Sequence, residues 1–276
     1  MFYLKFAKII LMKISACIIT HNEEKNIRAA LESVSWADEI IVVDSESSDA
    51  TGKIAESMGA RVIVQKWMGF GKQKQFAIEK ASYNWIFSLD ADEQVSKELK
   101  QKILQLKNLS GNDLAKGYKI KRLTYYMNRP IMHGNWYPDW QLRFFHRDFG
   151  RWNEFQIHES VTMNSDVKVK KLAEHILHYS NINASKHHHL IGTRYAPLAA
   201  QQMLSQGKRT TKAKIITTCF VTFFQSYFIK LGFLDGFPGF CIAFFAAYHS
   251  YLKHLLLWEL QNNLNDQEIP ALNLKG

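Results

Sequence analysis

Cysteine is scarce in this chain. Cys17, Cys219 and Cys241 lie far apart in 276 residues with no CxxC spacing, which excludes a disulfide framework or zinc knuckle and fits a reducing compartment. Acids are the minority charge, 25 against 35 Lys and Arg, leaving a formal net charge of +10. That imbalance suits an anionic partner: a nucleotide, a nucleic acid or an anionic membrane surface. The first stretch, MFYLKFAKIILMK, carries lysines at 5, 8 and 13 with no small-residue cleavage site after it, so it does not read as a signal peptide. Met12, just ahead of the first strand, offers an alternative start. Long apolar runs are missing too. IITTCFVTFFQSYFI (215–229) has 15 residues, and FCIAFFAAYHSYLKHLLLW (240–258) has 19 but is broken by His249, Lys253 and His254. A spanning helix takes about 20 predominantly apolar residues, so neither reads as transmembrane. No internal repeat or low-complexity linker marks a clean domain boundary.

Core-forming residues are plentiful: 47% are hydrophobic and 13% aromatic, which excludes general disorder. From Lys13 to about Asp92 strand and helix patterns alternate. The strands ISACIIT (14–20), EIIVVD (39–44), ARVIVQ (60–65) and WIFSLD (85–90) are separated by the helical stretches NEEKNIRAALESV, SDATGKIAESMG and KQKQFAIEKAS. This rhythm predicts βαβ units around a parallel sheet covered on both faces. Ligands of such sheets collect beyond the carboxyl ends of the strands, where Thr20, Asp44 and Asp90 stand. After Glu93 a polar helix around 96–107 leads into a segment dense in aromatic and basic residues, and beyond residue 184 the chain reads as helical.

SLDADE holds the densest charge. In an extended chain positions i and i+2 face the same way, so Asp90 and Asp92 are expected to converge and, unless one is protonated, to need a cation such as Mg²⁺ or Mn²⁺ between them. The bland alternative is a solvated strand end whose acids cap the next helix. Thr20 and Glu23 have capping-box spacing, and Ser47 or Ser48 with Asp49 suits the start of the second helix. Capping accounts for Asp49. Asp44 belongs to the strand end instead, facing the ligand crevice. The run GFGKQK lacks the third glycine of a dinucleotide-binding loop and precedes the third helix, so that reading is rejected.

CIITHNEEKNI, IIVVDSESSDAT, GFGKQKQFAIEKAS and WIFSLDADE together resemble the ordered motifs of family 2 glycosyltransferases over residues 14–93. WYPDWQLRFFHR, IHESV and GFLDGFPGF extend the resemblance to the bacterial lipopolysaccharide core glucosyltransferases. Lys74 and Gln75 depart from the Arg-Asn found in many members. The resemblance implies a GT-A fold, a Rossmann-like mixed and mostly parallel α/β sheet flanked by helices. It also implies a nucleotide-sugar donor, foremost a UDP-sugar. Thr20, Asn22 and Glu23 would lie around base and ribose, and Asp44 would hydrogen-bond the base. Lys74, with Lys72 as alternative, would approach the base or diphosphate. Asp90 and Asp92 match the metal and ribose motif, with Asp92 the direct ligand of Mg²⁺ or Mn²⁺. His158 would complete the metal shell, with His178 its rival. Asp139 falls where the family places its base, with Glu159 second, and Arg143 could face the diphosphate. The bland readings are a turn residue after Pro138 for Asp139 and a structural ring for each histidine.

The domain reading is a glycosyltransferase domain over 13–183, with a nucleotide half 13–93 and an acceptor half 94–183, then a helical apolar region over 184–276. Four basic residues in GKRTTKAK (207–214) precede the first apolar run, favouring anionic lipid. The two runs, joined by KLGFLDGFPG, read as a hairpin lying in the membrane interface. The alternative is a helical pair packed on the sheet or closing a homodimer. HHH (187–189) fans around a helix axis and reads as wet or interfacial surface. The leading expectation is an inverting, metal-dependent hexosyltransferase, glucose first, acting on a lipid-linked lipopolysaccharide or lipooligosaccharide core sugar. It would sit in the cytoplasm, peripheral on the inner face of the bacterial cytoplasmic membrane, without nucleic acid. A polyprenyl-phosphate acceptor is the second reading. A non-catalytic membrane or nucleic-acid binding module, using Trp136, Tyr137 and Trp140 as stacking surfaces, is the third.

Overall fold

In the computed structural model, which describes residues 12–109, 114–153, 159–179 and 183–264, the alternating pattern becomes a parallel sheet. β1 (Ile14–Thr20), α1 (Ile27–Ser33), β2 (Glu39–Asp44), α2 (Thr51–Ser57), β3 (Arg61–Val64), α3 (Phe70–Glu79) and β4 (Trp85–Asp90) follow in chain order. The strands lie side by side as β3-β2-β1-β4, every join parallel. All seven residues of β1 are buried, because helices cover both faces. Strand alternation divides the core. Ile14, Ala16, Ile18, Val42 and Phe87 pack with Ile27 and Leu31 of α1. Cys17, Ile19, Ile41, Val43 and Ile86 pack with Ala77 and Ile78 of α3.

Two helix starts differ from the capping expected of the sequence. α1 begins after Asn26 and α2 after Ala50, neither with a side-chain cap. The Thr20–Glu23 capping box does not form because Thr20 is the last residue of β1, six residues ahead of that N-cap. Ser47 is likewise drawn to Asp44 rather than to the helix end.

After β4 the chain turns at Ala91–Asp92 into β5 (Glu93–Val95). α4 (Lys97–Lys107) follows, and Ser96 caps it by accepting from Leu99 N at 3.2 Å. Glu98 in its first turn and Lys107 in its last both suit the helix dipole. Then come β6 (Gly117–Tyr126), β7 (Arg129–Pro130), β8 (Asp139–His146), β9 (Gly150–Trp152), β10 (Val161–Met163) and β11 (Val169–His178). β8 joins β4 antiparallel, and the sheet continues as β8-β6-β11-β5. β6 and β11 are parallel and β11 meets β5 antiparallel, so the sheet is mixed, as a GT-A arrangement requires. β9 and β10 form a separate two-stranded ladder.

The chain forms two compact units: Met1–Thr124 with Pro138–Ser180, and Tyr125–Tyr137 with Asn181–Gly276. The short excursion at Tyr125–Tyr137 falls inside the first domain of a linear reading, yet it belongs with the helical unit. There Tyr126 and Ile131 share a core with Ile242.

The second unit contains α5 (Ala184–Leu190), a π-helical turn (Ile191–Tyr195), α6 (Ala196–Ser205) and α7 (Lys212–Phe224). A π turn (Gln225–Ile229) and a 3₁₀ turn (Gly232–Asp235) lead into α8 (Gly236–Gln261). Gly232 and Gly239 allow this corner: a Cβ on Gly239 would stand 1.9 Å from the Gly232 carbonyl oxygen. Asp235 fixes it, accepting from Met132 N, His133 N and His133 Nδ1 at 2.8–3.2 Å. The apolar run read as 19 residues grows once this corner is helical. Gly232–Gln261, 30 residues, is long and apolar enough by length and composition to cross a membrane, which corrects the earlier count.

The HHH run is also divided by the fold. His188 and His189 are exposed, but His187 is buried, its ring 5.6 Å from that of Trp136 and 4.3 Å from that of Phe245. Burial, with His249 nearby, lowers its pKa to about 4. The unfolded chain would take up that proton near pH 6.5, whereas the folded chain resists it. Stability contributed by the neutral ring is therefore complete above about pH 6.5 and lost between there and about pH 4. We expect the melting temperature to fall across this window, and to fall less in His187→Phe, as read by circular dichroism at successive pH values.

Candidate active site

β2, β1 and β4 are neighbours, so their last residues, Asp44, Thr20 and Asp90, stand along one edge of the sheet. The loops beyond them are stitched together. Asn22, with φ of 54°, donates its N–H to Ser47 Oγ at 2.9 Å and accepts from Ser48 N at 2.8 Å through Oδ1. Glu23 N donates to Thr51 Oγ1 at 2.8 Å, and the Glu23 carboxylate accepts from Asn26 Nδ2 at 2.6 Å. Asp44 is 5% exposed and accepts from Ser47 N and Oγ at 3.2 and 2.5 Å. The Thr20 hydroxyl is buried without a hydrogen-bond partner among the described residues. Sequence-predicted Thr20, Asn22, Glu23 and Asp44 thus border the same two loops.

Beside them lies a buried ionic cluster. Lys74, 4% exposed on α3, reaches Asp90 at 2.9 Å and Glu159 at 3.5 Å. Lys72, the alternative, is exposed. Arg143 on β8 is 2% exposed, and its Nη2 donates to both Asp90 and Glu93 at 2.9 Å. Glu93, fully buried, also accepts from Asp90 N at 3.0 Å. Arg122 on β6 donates through Nε to Asp139 at 2.8 Å and stands 3.5 Å from Glu93. Gln141 Nε2 donates to the other Asp139 oxygen at 2.6 Å. Trp152 lines the cluster, with Lys74 Nζ 4.7 Å and the Arg143 guanidinium 5.8 Å from its ring centre.

Electrostatics follows from this pairing. Burial pushes the Asp90 carboxyl up, but the charges of Arg143 and Lys74 outweigh it and hold the group well below the usual carboxylate range. Burial likewise disfavours the Arg143 cation, and Asp90 and Glu93 overcome that, raising its pKa. Nε and Nη1 of Arg143 are buried without hydrogen-bond partners among the described residues.

Asp90 and Asp92 do not share partners, contrary to the expectation from an extended i, i+2 pair. The chain leaves the strand at Asp90, and Asp92 sits in the following turn, so strand alternation no longer applies. Asp92 accepts instead from His178 Nε2 at 3.2 Å, and Thr124 Oγ1 donates to His178 Nδ1 at 3.2 Å. His158 lies outside the described residues. Among the described residues no three His, Cys, Asp or Glu side chains converge as a complete metal shell. The Asp92–His178 pair suits a cation that takes one or two protein ligands and completes its shell with substrate phosphates. Asp139 starts β8 and is ion-paired, so it is no free turn residue.

Several members of this constellation escaped the sequence reading: Glu93, Arg122, Gln141, Trp152 and Thr124. In the sequence Glu93 is only a third acid in SLDADE, and Arg122 one basic residue among many in KIKRL. The signal that could have found them is the excess of acids near buried strands, each of which needs a cation. Replacing Arg143 by Met would leave the buried Glu93 carboxylate with only Arg122, 3.5 Å away, as a cationic partner. We expect a stability loss of roughly 3–5 kcal/mol in urea unfolding.

The family model described as Glycosyl transferase family 2 matches residues 15–175. An uncharacterized glycosyltransferase of Rickettsia bellii is 35% identical over 271 residues, covering 94% of this chain and 90% of that one. The lipopolysaccharide core biosynthesis glycosyltransferase LpsC of Rhizobium meliloti is 30% identical over 258 residues, covering 89% of this chain and 94% of that one. Among solved structures, S. aureus TarS 1–349 in complex with UDP-GlcNAc superposes with a TM-score of 0.46 at 15% identity, over 91% of this chain and 92% of that one.

Proposed function

Because the chain belongs to glycosyltransferase family 2, we propose that it transfers a hexose, glucose first, from a UDP-sugar to a lipid-linked lipopolysaccharide core sugar with inversion. One observation carries the reading: a carboxylate–imidazole pair, Asp92 with His178, follows directly on a strand end where Lys74 and Arg143 hold Asp90. LpsC, a relative along nearly its whole length, supports the core-sugar acceptor. The reaction is assigned to the cytoplasmic face of the inner membrane, where donor and lipid-held acceptor meet.

In this mechanism Asp44, buried beside Ser47, receives the base, while Thr20, Asn22 and Glu23 frame the ribose. Lys74 and Arg143 oppose the charge that grows on the diphosphate as the glycosidic bond breaks. Arg143 enters the reaction rigidly held, with Nε and Nη1 unpartnered among the described residues. Asp92 and His178 would hold a divalent cation, with Thr124 orienting the imidazole; when bound, it supplies a countercharge to the leaving diphosphate. Asp90, already neutralised by two cations, positions Lys74 and Arg143 rather than ligating the metal. Asp139 takes the proton of the acceptor hydroxyl as its oxygen bonds to the anomeric carbon and the nucleoside diphosphate departs from the opposite face. Glu159 is assigned to Lys74, its ion-pair partner.

A second reading has its own support. Both Asp139 oxygens are engaged, by Arg122 and Gln141, which suits a positioning role and an acceptor oxygen that is already anionic, such as a polyprenyl phosphate. Asp139→Asn decides between them. With a sugar hydroxyl as acceptor we expect kcat to fall about 10²–10⁴-fold; with a phosphate acceptor turnover stays near wild type.

The donor assignment is tested by calorimetric titration of nucleotide sugars with and without Mn²⁺. UDP-sugar binding is expected to tighten with the metal, and Asp92→Ala to lose at least tenfold of that gain, in line with the loss of a metal ligand or its partner. Equal affinity in both proteins would remove the metal assignment.

A further inference from the structure

The second unit exposes apolar surface in an ordered way. On α7 and the turn after it, Ile216, Phe220, Phe224 and Phe228 recur at four-residue spacing, so they share one helix face, and Phe220 is 71% exposed. On α8, Phe237, Phe240 and Phe244 form a second stripe, with Phe237 68% exposed. The helices run antiparallel: Thr218 pairs with Ser250 at 3.0 Å near one end, and Phe223 and Tyr227 pack on Phe240 near the other. The helices are joined through these contacts, and both stripes remain exposed on the hairpin. Monomeric proteins rarely leave such a surface to water.

Charge says what covers it. Lys208, Arg209, Lys212 and Lys214 are exposed at the start of the hairpin, and Lys230 is exposed at its turn. Between Lys208 and Trp258 the sequence has one acid, Asp235, and its carboxylate is used up by His133 and two backbone N–H groups. The hairpin therefore exposes apolar rings along its middle and uncompensated positive charge at its start and at its turn.

We propose that this face lies flat in one leaflet of an anionic membrane, phenylalanines among the acyl chains and lysines of both ends among acidic headgroups. Lys230 bears on the orientation. It stands 18 residues beyond Lys212, about 27 Å along a helix, so a hairpin entering turn-first would have to carry its ammonium through the hydrocarbon to the far headgroups. Lying flat, the lysines at both ends reach the headgroups along their own stems. The proposal deepens the reading of a lipid-held acceptor and rests on it only for purpose; the surface itself stands on exposure and charge.

The test uses the full chain in flotation with vesicles of phosphatidylcholine alone or mixed with phosphatidylglycerol. Wild type should float with the acidic vesicles, be released by alkaline carbonate, and stay behind with neutral ones. Lys212→Gln/Lys214→Gln should partition roughly thirtyfold less. Phe220→Ser/Phe224→Ser should lose more than tenfold. An environment-sensitive dye on a cysteine at position 224 should turn blue on binding, and one at position 230 should stay wet, which needs neither multiple variant to fold. No flotation, equal flotation with neutral vesicles, carbonate resistance, or a dry dye at position 230 would overturn the proposal. So would a vesicle-free dimer abolished by the phenylalanine changes. Calorimetric donor binding, measured on the same samples, fails independently if the donor assignment is wrong.

Discussion

Arg143, shut away from water between Asp90 and Glu93, is the interaction on which the first unit turns. A guanidinium cannot be buried without carboxylates, nor can a fully buried carboxylate do without a cation. The pairing forces β4, β5 and β8 into one arrangement, and Lys74 and Arg122 bind α3 and β6 to it. The cluster that holds the strand ends together is the same one proposed to meet the leaving diphosphate. Preorganisation of this kind means that little reorganisation is needed when charge develops.

Topology explains how distant residues arrive there. β8 inserts between β4 and β6 although about 50 residues separate it from β4 in the chain, and its antiparallel join brings Asp139, Gln141 and Arg143 to the edge where Asp90 ends. β11 returns along β6 and closes on β5, which carries His178 back to Asp92. β3, β2, β1 and β4 join in parallel, whereas the strands after β4 mix antiparallel joins with the parallel β6–β11 join, on one continuous sheet. The second unit solves a different problem. Thr218 pairs with Ser250 and His254 with Thr210 between its helices, and the exposed faces are left apolar with lysines at the ends.

Much of the first half could be read directly. ISACIIT, EIIVVD and WIFSLD became β1, β2 and β4 with the bounds the apolar runs suggested, because strands buried on both faces leave a period-free apolar signature. Thr20, Asp44 and Asp90 were legible as strand ends for the same reason. Helix starts were less so: the T-x-x-E spacing at Thr20 imitates a cap, but the chain needs six further residues to turn before α1 begins. His158 lies outside the described residues, and His178 came forward through its contact with Asp92.

By itself, then, the sequence determined the alternating elements, the motif residues at their ends, the positive charge and the apolar hairpin, since each depends on neighbours within a few positions. Tertiary structure alone decided which acid meets which cation. Asp90 and Asp92 are two residues apart and take different partners, one from β8 and α3, the other from β11. No local pattern encodes that choice, because it is made by strand order and by the cost of burying a charge without its counterpart.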